Sequence, residues 1–410
     1  MKCRSCGGEN FTSILNLGLH PWCNDFLTKE EVGAEKFYPL HLVYCDSCEL
    51  LQLDHTVPKE TMFKQHDYVS GTTKTLRNHF LRLAQENKAE FNLCSDDLII
   101  DIGGNDGTQL QEYQRIGLTN VVNIESADNI AELSRQNNVP VINEFFNEET
   151  VMKNFKKGEA KLINASGVFF HLEELHSVIR GINYVLADDG VFIVQFMYAG
   201  TMIEKLNFDT IYHEHLCYYT LISLMNLLVD YDLEVFDAYP SDIHSGSIIA
   251  KVYKKKFSDK LDIMPHTGRF IETLNKDYDY NKDSFINFGK YITSIKDRLK
   301  NFLSVLKESG QTIYAYGAPA KGNTLLNYFE IDNTLIDKCV EVNELKIGKY
   351  LPKSHIPIIK ESKEDLPNYY LLLSHNFEKE ILEKNKDIIE KGVKFIIPFP
   401  EIKIVGGING

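Results

Sequence analysis

The ten residues 211–220 read IYHEHLCYYT, with two histidines, one glutamate and three tyrosines. Groups of these types move protons. An imidazole titrates near pH 6.5, a phenol can donate to a developing oxyanion, and a carboxylate can orient either one. A solvated face would carry more Lys and Ser, and a core strand fewer titratable groups. Histidines on either side of a carboxylate also have the composition of a metal-ligand set, so an acid/base site and a metal cluster both stay open here. In an extended segment, neighbouring side chains face opposite sides. Glu214 and His215 can therefore meet one ligand only if the chain turns or a helix begins there, and His213 has no assignment.

Eight cysteines are present, four of them in two CxxC pairs: Cys3 with Cys6 and Cys45 with Cys48. Each CxxC turn aims two sulfurs at one point, and thiolates are soft ligands, so the pairs read as a tetrahedral structural zinc site. Redox dithiols are the competing reading. A site closed by four thiolates has no open position for catalysis.

Two glycine-rich turns follow strand-like runs. The first is DIGGNDG, residues 101–107. Asp101 stands near the end of the strand, and Gly103 lets the backbone approach a ligand, followed by Asn105 and Asp106. Glu125 ends the next strand, where a ribose diol is held in doubly wound folds. The third glycine of a dinucleotide fingerprint is missing, so S-adenosylmethionine (SAM) fits this turn better than a dinucleotide.

The second turn is GAPAKGNTLL, residues 317–326. Gly317, Lys321, Asn323 and a helix N-terminus suit an anionic group, although a Walker sequence is absent. His171 follows the fourth strand as either an active-site or a packed residue. His244, in SDIHSGS, is a candidate for substrate contact or a surface histidine. Tyr68, in HDYVSGTT, says little by itself.

The elements that must position these residues alternate. Strands are expected at 98–104, 120–126, 139–146, 160–170 and 190–196, with helices between them, and this is an open parallel sheet. An antiparallel hairpin over 233–255 at the sheet edge marks the order of a class I methyltransferase. Residues 264–308 read as polar and helical. A second strand–turn–helix pattern starts at Thr312, with further strands at DKCVEVN, YYLLLSH and KFIIPFP.

The expected division is a zinc-binding domain over 1–66, a SAM-binding methyltransferase domain over 67–260, a helical connection over 261–308 and a Rossmann-like domain over 309–410. The fold class is α/β throughout the two larger domains.

Composition narrows the function. A net charge of −14 over 410 residues argues against nucleic-acid binding, which needs clustered Lys and Arg. No apolar run reaches the roughly 20 residues that span a bilayer, and MKCRSCGGEN has no signal-peptide core. A cytoplasmic enzyme is the expectation, with a monomer compatible and the oligomeric state not set.

Together, the CxxC pairs, LGLHPWCNDFL, DIGGNDGTQL, FDTIYHEHLCYYT, HSGS, YGAPAKGNTLLNYF and IGKYLPKSHIPI cover most of the chain. In these the sequence resembles the SAM-dependent nucleotide-sugar C-methyltransferases, of the type that makes tetronitrose. The resemblance implies a nucleoside-diphosphate 4-keto-deoxysugar substrate lying between the middle and C-terminal domains, and methylation at C-3. It also implies an active-site set of Tyr68, His171, Tyr212, Glu214 and His215, with His215 as the base.

The chemistry agrees. Carbon is a poor nucleophile toward SAM unless it becomes an enolate, and a C-4 ketone acidifies the C-3 proton enough for a histidine. The family often has HGGS and LGxxPLAN where this chain has HSGS and LGLHPWCN with Trp22 and Cys23, which bears on the identity of the sugar. Methylation at oxygen or nitrogen of a nucleotide-linked sugar is the alternative. A zinc-ribbon RNA methyltransferase and a non-catalytic binding protein are the more distant ones.

Overall fold

The computed structural model describes residues 1–63, 68–243, 246–258 and 268–406. The N-terminal strands are β1 (Phe11–Pro21), β2 (Phe37–Cys45) and β3 (Leu51–Leu53), paired antiparallel in that order. Buried leucines at 40, 42, 50, 51 and 53 give this small sheet its core.

The middle sheet is built from β4 (Leu98–Ile102), β5 (Val121–Ile124), β6 (Val141–Ile142), β7 (Ala160–Ser166) and β8 (Leu186–Met197). All five run parallel, and LIIDI of β4 is wholly buried, as expected for a strand covered on both faces. Next comes β9 (Cys217–Tyr218), which leaves this domain and pairs antiparallel with β3. The candidate catalytic stretch thus runs directly into the N-terminal sheet.

The hairpin β10 (Leu233–Ser241) and β11 (Ser247–Lys254) completes the middle sheet, in the order β10-β11-β8-β7-β4-β5-β6. β11 runs antiparallel to β8, with Ser247 opposite Met197. The sheet is the expected class I arrangement, with the hairpin at one edge.

Four of the five expected strands are shorter, the first two by a few end residues. The third keeps only Val141–Ile142, and Phe145 and Phe146 leave the sheet for the cleft described below. The fourth stops at Ser166, because Gly167 takes a φ of 79° that ends extended pairing. A 3-10 turn over Phe169–His171 follows.

Helices Gly268–Asp277 and Lys282–Glu308 lead to the C-terminal domain. The longer one starts at Asn281, whose side chain accepts from the N–H groups of Asp283 and Ser284. The third sheet holds β12 (Ile313–Tyr316), β13 (Lys338–Glu341), β14 (Ile358–Lys360), β15 (Tyr369–Leu372), β16 (Lys394–Ile397) and β17 (Lys403–Val405). Its order is β14-β13-β12-β15-β16-β17, parallel except for β17. This is the second Rossmann-like sheet.

Strand order reverses between β4 and β7 in the middle sheet and between β12 and β15 in the C-terminal one. Open α/β sheets bind ligands at the carboxyl ends of strands at such points. Among the described residues no helix is long and apolar enough to cross a membrane.

Candidate active site and zinc centre

Both strand-order reversals open into one cleft of about 1120 Å3. Gly103, Asn105, Glu125 and Val168 line it from the middle domain, and Pro319, Lys321, Ser374 and Asn376 from the C-terminal domain. Between them stand Tyr68, His171, Tyr212, Glu214 and His215, so all five candidate catalytic residues share the cleft wall.

The chain does turn at YHEH. The His215 N–H bonds the Tyr212 carbonyl at 2.9 Å, which swings Glu214 and His215 to one side. His213 goes the other way, packed edge-on against Tyr38 with Nε2 at 3.2 Å from the Pro39 carbonyl. It is 1 % exposed, and burial lowers its pKa to about 4. It is thus a neutral packing residue under the N-terminal sheet.

The His215 Nδ1 lies 2.8 Å from the Thr210 carbonyl oxygen. A carbonyl only accepts, so Nδ1 carries the proton and the lone pair of the neutral ring is on Nε2. The Tyr212 ring packs on His215 with centroids 3.9 Å apart, and Phe170 meets it edge-on at 4.8 Å. His171 follows the same rule, with Nδ1 at 2.6 Å from the Glu214 carbonyl. Burial, then the Glu214 charge, pushes the Tyr212 phenol well up, so it remains a donor at neutral pH.

Glu214 is 3 % exposed, and its Oε1 accepts from Trp22 Nε1 and Asn24 Nδ2, each at 2.6 Å. Neither donor is legible as such in the sequence, where Trp22 is only a bulky residue in the LGLHPWCN loop. Asn323 is 1 % exposed, outside the cleft lining, and gives its amide to the Cys23 carbonyl at 2.6 Å. It fastens that loop. Gly317 also stands behind the lining, which starts at Pro319. His244 lies outside the described residues.

Lys321 reaches the cleft, and burial depresses its ammonium while Asp209 acts in the opposite direction. Asp209, in the turn before Thr210, accepts from His375 Nε2 at 2.7 Å. Burial alone would raise this carboxyl, but the charges of His375 and Lys321 and the His375 hydrogen bond hold it below its ordinary range. This pair, unseen in the sequence because its members are 166 residues apart, links the C-terminal domain to the turn that carries the Thr210 carbonyl.

The DIGGNDG turn fits SAM. Asp101 is 1 % exposed, and its buried Oδ1 has no hydrogen-bond partner among the described residues. Burial, then Glu125, raises its carboxyl well up. Gly104 is required, because an added Cβ would stand 2.7 Å from both Asp101 Oδ2 and Asn123 Oδ1. Glu125 accepts from the N–H groups of Asn105 and Ala127 at 3.1 and 2.8 Å.

Asn105 and Asp106 do a different task. Asn105 Oδ1 takes the Ser70 N–H at 2.9 Å, and Asp106 takes those of Gly71 and Thr108 at 3.1 and 3.2 Å. They tie the segment after Tyr68 to the DIGGNDG turn.

The four CxxC sulfurs lie within 4.8 Å of one another, with Cys3–Cys48 and Cys6–Cys45 at 3.5 Å. Zinc–sulfur bonds of about 2.3 Å put tetrahedral sulfurs about 3.8 Å apart, so the thiols fit a structural zinc ion.

Comparisons with known proteins agree with this layout. Residues 3–63 match a zinc binding domain, residues 72–238 a methyltransferase domain, and residues 242–400 a C-methyltransferase C-terminal domain. The C-methyltransferase NovU of Streptomyces niveus is 29% identical over 408 residues, covering 98% of this chain and 96% of that protein. Among solved structures, geranyl diphosphate C-methyltransferase from Streptomyces coelicolor A3(2) gives a TM-score of 0.35 at 9% identity, over 45% of this chain and 83% of that one. A SAM-dependent methyltransferase from Aquifex aeolicus gives 0.33 at 12%, over 43% and 97%. Three domain matches in order and an end-to-end relative identify a SAM-dependent methyltransferase with zinc-binding, methyltransferase and C-methyltransferase C-terminal domains.

Proposed function

We propose that the protein methylates C-3 of a nucleoside-diphosphate 4-keto-deoxysugar, as a step in making a branched-chain sugar. The observation that carries this reading is the fixed tautomer of His215, which puts a basic Nε2 in a cleft between a SAM turn and a lysine-bearing turn. The YHEH and GAPAKGN blocks add the sugar-family resemblance.

The C-4 ketone acidifies the C-3 proton, and His215 Nε2 takes it as the C–H bond breaks. The electrons move to the ketone oxygen, which Tyr212 meets with its phenol proton. Glu214 and His171 hold the ring against this pair, and Tyr68 closes the cofactor side. Asp101, Gly103 and Glu125 would hold SAM, with Asn105 and Asp106 shaping the turn. Bound SAM supplies the electrophilic methyl group that the enolate carbon takes. Lys321 faces the diphosphate. His244 remains a proposed sugar contact, while Gly317 and Asn323 support the site from behind. The division at residues 66, 260 and 308 is the domain plan we attach to this function.

The test is mass spectrometry of products after incubation with SAM and a panel of 4-keto nucleotide sugars. A gain of one methyl group on a carbon, with deuterium exchange at C-3 in heavy water, is the expected result. Methylation without exchange, on oxygen or nitrogen, would overturn it.

A further inference from the structure

The chain has a single tryptophan, and it stands in the cleft wall. Its indole N–H and the Asn24 amide point at the same carboxylate oxygen, Glu214 Oε1. Both donors come from the loop after β1, about 190 residues away in sequence. That loop is itself fastened from the C-terminal domain. Asn323 holds the Cys23 carbonyl, and Leu27 exchanges main-chain hydrogen bonds with Tyr350 at 3.0 and 2.8 Å.

A carboxylate removed from water stays an anion only where donors replace the lost hydration. Two N–H donors at 2.6 Å do this for Glu214, and they also fix its direction. Phenylalanine or leucine at position 22 would keep an apolar wall and supply no donor. Burial, and after it the Glu214 charge, pushes the neighbouring Tyr212 phenol up.

We infer that Trp22, with Asn24, is a positioning residue that holds Glu214 ionised and aimed at the sugar, so that the N-terminal domain completes the catalytic site. The inference rests on the function proposed above only for the identity of the group that Glu214 faces. Trp22 itself acts through Glu214. The competing view is that the indole is merely a wall of the cleft.

A single tryptophan gives a single indole cross-peak in a nitrogen–proton spectrum of protein labelled at tryptophan, so no assignment step is needed. The expected indole proton is shifted downfield and slow to exchange with solvent. It should move upfield in Glu214→Gln, because an amide oxygen is a weaker acceptor than a carboxylate. A peak at the free-indole position, unmoved by Glu214→Gln, would overturn the contact.

The kinetic arm uses Trp22→Phe. The expected outcome is roughly a tenfold loss of kcat with the sugar KM changed less than about twofold, since orientation is lost and the wall is kept. Calorimetry with S-adenosylhomocysteine should show unchanged affinity, which establishes that the variant is folded. A raised KM with normal kcat would make Trp22 a wall only. The spectrum needs no substrate, so it stays readable even if the sugar assignment fails.

Discussion

His171 and His215 are bonded alike: each gives its Nδ1 proton to a main-chain carbonyl, Glu214 for one and Thr210 for the other, and their ring centroids are 5.0 Å apart. With Nδ1 the donor in each ring, Nε2 is the atom of each that can take up a proton. The assignment of base separates them. His215→Asn is expected to lower C-3 deuterium exchange by about a hundredfold or more, the usual size of general-base catalysis. His171→Asn should lower it less, and exchange measured by mass spectrometry in heavy water decides between them.

The DIGGNDG turn leaves no room beside Gly104. Gly104→Ala forces a methyl group within 2.7 Å of Asp101 Oδ2 and Asn123 Oδ1. Asp101→Ala removes the buried oxygen that has no partner among the described residues. Each substitution should weaken SAM binding by about tenfold or more, the first by displacing Asp101 and Asn123 and the second by removing a buried polar group behind the cleft wall. Titration calorimetry with SAM measures it, and unchanged affinity would place the cofactor elsewhere.

Zinc is expected at one ion per chain, bound by Cys3, Cys6, Cys45 and Cys48. Removing it unfolds small domains of this kind. Here the loss should also remove activity, because β9 pairs with β3 and Trp22 and Asn24 hold Glu214. Cys45→Ser, followed by metal analysis and turnover, checks both effects. Full activity without zinc would contradict the coupling.

His213 makes stability depend on pH. Burial lowers its folded pKa to about 4, below the value of about 6.5 in an unfolded chain. Between those values the unfolded chain binds more protons, so its share of stability is full above about 6.5 and falls as pH drops towards 4. The slope from this one group is at most about 1.4 kcal/mol per pH unit. Urea unfolding at pH 7 and pH 5 should show a smaller difference in His213→Gln than in the parent. An equal difference would mean that His213 titrates normally.

Lys321 is the cation of the C-terminal turn that reaches the cleft. Lys321→Met should raise the KM for the nucleotide sugar about tenfold or more with kcat changed less, as expected for a group that binds the diphosphate away from the reacting carbon. A pure kcat effect would place Lys321 at the chemistry instead.

Much of this protein was legible in its sequence, because the signals were local. Apolar runs such as LIIDI report a strand buried on both faces, and the CxxC pairs report two sulfurs per turn. DIGGNDG and GAPAKGN mark strand-to-helix turns, whose backbone demands fix residue types over a few positions. The density of titratable groups marked the YHEH block, and the family resemblance singled out Tyr212, Glu214 and His215 within it. The direction each side chain faces was not legible, since alternation along an extended chain sets His215 against Glu214, and the turn at Tyr212–His215 reverses this.

Tertiary structure alone decided the partners. Trp22 and Asn24 meet Glu214, Asn323 holds Cys23, and His375 meets Asp209 across separations of 166 to 300 residues. A sequence carries no periodicity for such contacts. They exist because two sheets place their strand-order reversals at one cleft, and because β9 joins the YHEH stretch to the N-terminal sheet. Local chemistry wrote the list of reactive groups, and the packing of three sheets decided which of them face one another.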